Sequence, residues 1–116
     1  MQELICSRGI HAGFIIGNTK VSPHALTYRR EPFPMYQNNE LLAFSRAEEI
    51  MGGPLESLRW WVNFLTSAGE ALKRGALVIS GSPTELILTT PHSQARADID
   101  NLGQVETTFR PQPKSL

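Results

Sequence analysis

The sequence lacks the features that would assign it to several common classes of protein. Among its 116 residues there is one cysteine, Cys6, so no internal disulfide can form and paired cysteines cannot build a zinc site. This cysteine usage fits a reducing compartment, and we expect a cytoplasmic protein. Eleven basic residues balance eleven acidic residues, so no net field attracts nucleic acid or an anionic membrane surface.

Long hydrophobic runs are also missing. No segment approaches the roughly 20 apolar residues of a membrane span. The first residues carry no basic segment followed by the apolar stretch of a signal peptide. We therefore expect neither a membrane partner nor a nucleic-acid partner. The length and the hydrophobic content of 41% predict a single domain over residues 1–110, followed by a frayed tail at residues 111–116.

Recognisable catalytic motifs are few. The sequence contains neither a Gly-rich phosphate loop nor a Gly-x-Ser-x-Gly nucleophile elbow. The scattered histidines lack metal-ligand spacing, and the acidic pairs are interpreted as surface charges: His11, His24 and His92; Glu48 with Glu49; Asp98 with Asp100. His11 has one alternative, because it precedes an apolar stretch and could titrate in a cleft near neutral pH. The residues themselves predict no catalytic residue and no metal site in this chain.

Local patterns predict the first elements of an α+β fold. Small or apolar residues at 12–16 predict a short buried strand. Residues 35–44 predict a hairpin about Asn38-Asn39, because asparagine tolerates the positive φ of a type I′ turn. Three prolines within residues 18–34 predict a loop or an edge strand. Apolar residues at three- and four-residue steps predict a helix over residues 54–68, closed by Gly69.

The second half of the chain predicts further strands. Stretches of β-forming residues lie at 76–79, 85–89, 95–99 and 104–109. The whole pattern predicts an α+β fold, a β-rich mixed sheet or roll of about six short, mostly antiparallel strands with one long helix. Trp60 and Trp61 on the helix are interpreted as core packing, and a stacking platform for bases or sugars is the less favoured alternative.

The segment Ser80-Gly81-Ser82 closes one predicted buried strand and has two interpretations. Glycine and two hydroxyls at a strand end can present hydrogen-bond donors to a substrate carboxylate. Serines in such a turn more often satisfy nearby backbone groups. The residues alone favour the turn.

Six short motifs occur in an order and spacing that resemble a known enzyme family. They are Asn38-Asn39-Glu40, Gly52-Gly53-Pro54-Leu55, Trp60-Trp61, Gly69-Glu70-Ala71-Leu72, Val78-Ile79-Ser80-Gly81-Ser82 and Leu102-Gly103-Gln104-Val105. The family comprises 2-keto-4-pentenoate hydratase, 2-oxo-hept-3-ene-1,7-dioate hydratase and 4-oxalocrotonate decarboxylase, within the fumarylacetoacetate hydrolase superfamily. The resemblance is to the C-terminal half of the family's domain and runs from about residue 10 to residue 109.

The resemblance implies metal-dependent chemistry on 2-oxo acids. Family members hydrate 2-hydroxy-dienoate acids or decarboxylate related oxo-diacids with a divalent metal, Mg²⁺ or Mn²⁺. It also implies that the acidic metal ligands and the lysine base lie in the half of the domain that precedes the matched region. Ser80, Gly81 and Ser82 fall where the family's strand end borders the active cleft, so they are the substrate-binding residues that the resemblance implies.

Two departures from the family accompany these matches. Ser7-Arg8-Gly9-Ile10 stands where members carry an Asp-Asn-Ala-Ser segment, and His92-Ser93 stands at a Gly-Asp turn. We therefore expect a chain that is inactive alone. We also expect a homodimer or a partner chain to cover the apolar face of the half-domain, with a small 2-oxo acid as the class of ligand. The alternative is a non-catalytic structural or protein-interaction module that retains the family fold.

Overall fold

A computed structural model describes residues 13–112, which form an α+β fold with one antiparallel sheet and one α-helix. The elements are β1 (Pro32–Gln37), β2 (Glu40–Arg46), α1 (Pro54–Ser67), β3 (Gln94–Ile99) and β4 (Gly103–Thr108). Short 3-10 turns lie at Pro23–Ala25 and Ala47–Glu49. The strand order is β2-β1-β3-β4, with every neighbour antiparallel. The predicted α+β class, with antiparallel strands and one long helix, is therefore confirmed.

The first hairpin forms as its turn residues predict. Asn38 and Asn39 have φ values of 49° and 66°, the two positive angles that a type I′ turn requires. The Asn38 side chain then ties the turn to the next strand, because its Oδ1 accepts a hydrogen bond from the backbone N–H of Gln94 at 3.0 Å. The hairpin therefore fixes the start of β3 as well as joining β1 to β2.

The prolines of β1 occupy the part of the strand that pairs on one side only. Pro32 and Pro34 lie opposite Arg46 and Phe44 of β2. Pairing with β3 is restricted to residues 35–37. A proline has no N–H to donate to a ladder, so it is tolerated where one edge of the strand stays unpaired. The predicted edge strand is thus realised in the first half of β1, although the second half is central in the sheet.

Three predicted strands are wrong. Residues 13–16, 76–79 and 85–89 form no strand in the described structure, which has four strands rather than about six. Residue 12 lies outside the described residues. The apolar sequences suit strands, but a strand also needs a neighbour to complete its backbone hydrogen bonds. These segments have no such ladder within residues 13–112, and Leu86 and Leu88 are 84% and 93% exposed.

Helix α1 begins where the sequence predicts and ends one residue before the predicted residue 68. Gly53 precedes it with φ 145°, and a Cβ at this position would lie 3.0 Å from the carbonyl oxygen of Tyr28, so no other residue fits without strain. Pro54 takes the first helical position, where its missing N–H costs nothing. The last helical residue is Ser67, and Gly69 follows with φ 77°.

The aromatic face of α1 does not reach a core within the described residues. Trp60, Trp61 and Phe64 are 55%, 38% and 50% exposed, and no residue of the helix is buried. The three rings stack on one another, with 5.5 Å between the centroids of Trp60 and Phe64 and 5.6 Å between those of Trp61 and Phe64. The core packing that was predicted for both tryptophans is therefore not met in this structure.

The buried residues are few: three lie near the junction between β2 and α1, and Ser93 lies just before β3. Ala47 and Ile50 are the buried hydrophobic residues, and Glu31 and Ser93 are the buried polar ones, among residues 13–112. Large apolar side chains are exposed instead along α1 and residues 76–89. Much of the apolar surface of residues 13–112 is therefore not covered by these residues themselves.

Candidate functional site

The segment Ser80-Gly81-Ser82 lies beside the first turn of α1. The hydroxyl of Ser57 donates a hydrogen bond to the backbone carbonyl of Ser80 at 2.7 Å. This bond joins the helix to the extended segment that precedes Ser80. Ser57 was not among the predicted site residues, because no local pattern pairs it with a residue 23 positions away.

Gly81 occupies a sharp turn that lies close to Ile50. Its φ is 116°, and a Cβ built on it would lie 3.3 Å from Cγ2 of Ile50. Ile50 is one of the buried hydrophobic residues, so it has little freedom to move away. A larger residue at position 81 would be strained in its backbone and crowded against the core.

The two serine hydroxyls have different surroundings. The Ser82 hydroxyl donates to the carbonyl of Thr84 at 3.0 Å and accepts from the N–H of Thr84 at 3.4 Å. These are the contacts of a local serine turn. The Ser80 hydroxyl makes no hydrogen bond within residues 13–112. Of the two hydroxyls, only that of Ser80 is therefore uncommitted.

A groove runs between α1 and the segment that leads to Ser80. Its volume is about 480 Å³, and it is lined by Met51, Ser57, Trp60, Trp61, Leu72, Leu77, Val78 and Ile79. Among the described residues, no acidic or basic side chain lines it. Residues 13–112 therefore give the groove apolar contact and one hydroxyl, and no charge for a carboxylate.

The described residues do not fit a divalent metal. Within residues 13–112 no three histidine, cysteine, aspartate or glutamate side chains lie close enough together to hold one. Glu31 is the buried carboxylate of this region, but Thr27 occupies it: the Thr27 hydroxyl donates to Oε2 at 2.7 Å, and the Thr27 N–H donates to Oε1. No catalytic step through a metal is therefore derived from these residues.

The remaining sequence candidates occupy separate places. His24 lies in the 3-10 turn Pro23–Ala25. His92 forms a turn with φ 64°, and its backbone N–H donates to the carbonyl of Phe109 at 2.7 Å. Ser93 is buried, and its hydroxyl donates to the carbonyl of Thr90 at 2.5 Å. The His92-Ser93 pair thus closes the turn before β3.

Other candidate residues are exposed or lie outside the described residues. Glu48 and Glu49 are exposed, as expected for surface charges. Cys6, His11 and the segment Ser7-Arg8-Gly9-Ile10 lie outside the described residues. Within residues 13–112, no helix is both long and apolar enough to cross a bilayer.

Known enzymes are similar to this chain over part of their own length. No protein-family model matches the chain. The 2-keto-4-pentenoate hydratase of Paraburkholderia xenovorans (strain LB400) is 23% identical over 96 residues, which are 83% of this chain and 36% of that enzyme. A 4-oxalocrotonate decarboxylase of a Pseudomonas species is 23% identical over 110 residues, 90% of this chain and 40% of that enzyme.

Solved structures agree with these matches. The 4-oxalocrotonate decarboxylase of Pseudomonas putida G7, complexed with magnesium and adipate, superposes with a TM-score of 0.75 and 24% identity over 80% of this chain and 35% of that chain. A second structure of the same enzyme contains calcium and acetate, so a divalent metal is implied for the family. The resemblance found in the sequence is confirmed: this chain matches a partial region of the hydratase and decarboxylase family, and it spans about 36–40% of the relatives' length.

Proposed function

We propose that this chain forms one wall of a 2-oxo-acid site in a hydratase- or decarboxylase-type domain, acting in the cytoplasm. Polypeptide beyond this sequence supplies the metal ligands and the base, and the chain is inactive without it. One observation carries the proposal: the chain shares its fold with 4-oxalocrotonate decarboxylase over only 35% of that enzyme. The described residues themselves lack a group of metal ligands.

The substrate contact that we propose is made by the turn at Ser80. Its uncommitted hydroxyl donates to a carboxylate oxygen of the 2-oxo acid, and Gly81 allows the substrate to approach the backbone closely. The bond from Ser57 to the Ser80 carbonyl holds the turn in place. Ser82 borders the site, and its hydroxyl stabilises the turn through Thr84.

We further propose that the exposed apolar surface is covered by association, either in a homodimer or by a partner chain. Stable interfaces bury about 800 Å² on each side. The aromatic face of α1 and residues 76–89 include large apolar side chains that are half or more exposed, and these offer the apolar surface for such an interface.

The experiment joins this chain to the region of the Pseudomonas putida G7 decarboxylase that lies outside the match. Calorimetry then measures adipate binding with and without magnesium, for the chimera and for the present chain alone. We expect magnesium-dependent binding by the chimera and no heat from the chain alone. Ser80→Ala should weaken adipate binding by the chimera several-fold. Ser67→Ala, which removes a hydroxyl at the far end of α1, is the matched control and should leave binding unchanged.

One observation favours the alternative function, a non-catalytic interaction module. The Ser82 hydroxyl is fully used within its own turn, which is the structural role that such serines commonly have. A folded chimera that binds no adipate with magnesium would support the module and contradict the proposed site. Magnesium-dependent binding by the present chain alone would instead contradict its incompleteness.

A further inference from the structure

Residues 77–80 have the side-chain pattern of a β-strand but no neighbouring strand. Leu77 and Ile79 are 61% and 59% exposed, whereas Val78 and Ser80 are half-buried. Side chains that alternate between two faces are typical of a strand. Within residues 13–112, no backbone N–H of residues 77–80 donates a hydrogen bond. The segment therefore has a set of backbone donors that these residues leave unused.

The two edges of this segment are not equivalent. In a strand, the backbone groups of successive residues point to opposite edges. The Ser57 hydroxyl donates to the Ser80 carbonyl at 2.7 Å, so the edge to which Ser80 points faces α1. The backbone groups of Leu77 and Ile79 therefore point to the opposite edge, away from Ser57. We call this second edge the open edge.

The open edge fits one kind of partner, an extended polypeptide. An added β-strand completes such an edge with main-chain hydrogen bonds, and its side chains cover the neighbouring apolar residues. A helix would cover the side chains of Leu77 and Ile79, but its own backbone groups are already paired internally. A strand with apolar side chains satisfies both the backbone groups and the exposed side chains.

Two polypeptides could supply this strand, and the chemistry of the site distinguishes them. A second copy of the chain would bring another set of residues 13–112, which contain no group of metal ligands. The matched hydratase and decarboxylase are longer than this chain, which covers 36% and 40% of them. A strand along Leu77 and Ile79 reaches Ser80, so the polypeptide that carries it is positioned to bring ligands to that turn.

We propose that the open edge of residues 77–80 is the docking site for a β-strand of the hydratase-type region that this chain lacks. The backbone groups of Leu77 and Ile79 form the ladder, and the incoming strand covers their side chains. The identity of the partner rests on the proposed function, because that function requires the partner to supply the metal ligands. The pairing itself needs neither metal nor substrate.

Amide hydrogen exchange followed by NMR tests the pairing, in this chain alone and in its chimera with the Pseudomonas putida G7 decarboxylase. In the chain alone, the N–H groups of Leu77 and Ile79 should exchange nearly as fast as those of an unstructured peptide. In the chimera, both should exchange about a hundredfold more slowly. The N–H of Val78 points to the other edge and should be slowed less. The amides of β3, which pair on both sides, report that each protein is folded.

Two variants of the chimera separate the backbone from the side chain. Ile79→Pro removes the N–H and should return Leu77 to fast exchange. Ile79→Ala shortens the same side chain, keeps the N–H and should leave Leu77 protected. The comparison of the chain alone with the unaltered chimera decides the matter by itself if Ile79→Pro does not fold.

The outcomes for the strand and for the 2-oxo-acid site can be told apart. Protection of Leu77 and Ile79 in a chimera that binds no adipate would support the strand pairing and contradict the 2-oxo-acid site. Adipate binding by a folded chimera with fast exchange at both residues would overturn the pairing and leave the site standing. Slow exchange at both residues in the chain alone would assign the edge to a second copy and also overturn the proposal.

Discussion

Ser57 donates a hydrogen bond from its hydroxyl to the backbone carbonyl of Ser80 at 2.7 Å. The two residues lie 23 positions apart in sequence, so this bond joins helix α1 to the turn that we propose as the substrate contact. The bond is partly buried, where water competes less well for the same groups. The position of Ser80 therefore depends on the helix.

The first prediction concerns this link. Ser57→Ala leaves the Ser80 carbonyl without its partner and should lower the free energy of unfolding by about 1 kcal/mol. Urea denaturation followed by circular dichroism measures the change. Ser67→Ala removes an exposed hydroxyl that bonds within the end of the same helix and should cost less. Equal losses for the two variants would mean that the Ser57 bond has no special role.

The second prediction concerns the hairpin turn. Asn38→Ala places a Cβ-bearing, non-polar residue at φ 49° and removes the acceptor for the Gln94 N–H. The two effects together should lower the free energy of unfolding by roughly 1–3 kcal/mol. Asn38→Gly accepts the same φ and loses only the acceptor, so it should cost less in the same urea experiment. A glycine variant as unstable as the alanine variant would contradict the contribution of backbone strain.

Local chemistry explains which parts of the fold could be predicted from the sequence. Turn and helix boundaries at Asn38-Asn39, Pro54 and Gly69 depend on the φ preferences of single residues, and all three were confirmed. Strands at residues 76–79 and 85–89 were wrong because a strand requires a neighbour that only the tertiary structure supplies. Apolar residues of this kind are typical of buried segments, but residues 13–112 leave most of them exposed.

Only part of the candidate site could be predicted from the sequence. The position of Gly81 at a sharp turn follows from its residue type, and the structure gives it a positive φ. The difference between Ser80 and Ser82 could not be predicted, because it depends on which neighbouring groups each hydroxyl reaches. The contact from Ser57 was missed for the same reason, since no local pattern pairs residues so far apart in the chain.

The third prediction concerns the pH dependence of stability. Burial, the largest influence, would raise the pKa of the Glu31 carboxyl, but hydrogen bonds from the Thr27 hydroxyl and from the backbone N–H groups of Thr27, Glu31 and Tyr28 together outweigh it and lower the pKa. A lowered folded-state pKa means that the ionised carboxylate stabilises the fold above its unfolded pKa, near 4.3. This contribution is lost as the pH falls through the folded pKa.

The variant Glu31→Gln isolates this effect. The free energy of unfolding of the unaltered chain should fall more steeply between about pH 5 and pH 3 than that of the variant, because the variant has no proton to bind at this position. Glu49→Gln, an exposed glutamate of the neighbouring 3-10 turn, is the control and should follow the unaltered chain. Parallel curves for the unaltered chain and Glu31→Gln would contradict the prediction.

The last prediction concerns the aromatic face of α1. Size-exclusion chromatography with light scattering at micromolar concentration should give the unaltered chain a mass above its monomer value of 12.9 kDa, because Trp60 and Phe64 are half exposed and gain from burial in an interface. The double variant Trp60→Lys with Phe64→Lys should elute as a monomer. Thr66→Lys places a single positive charge on the opposite side of the helix and should still associate. A monomeric unaltered chain would contradict self-association and leave a different partner chain to cover this face.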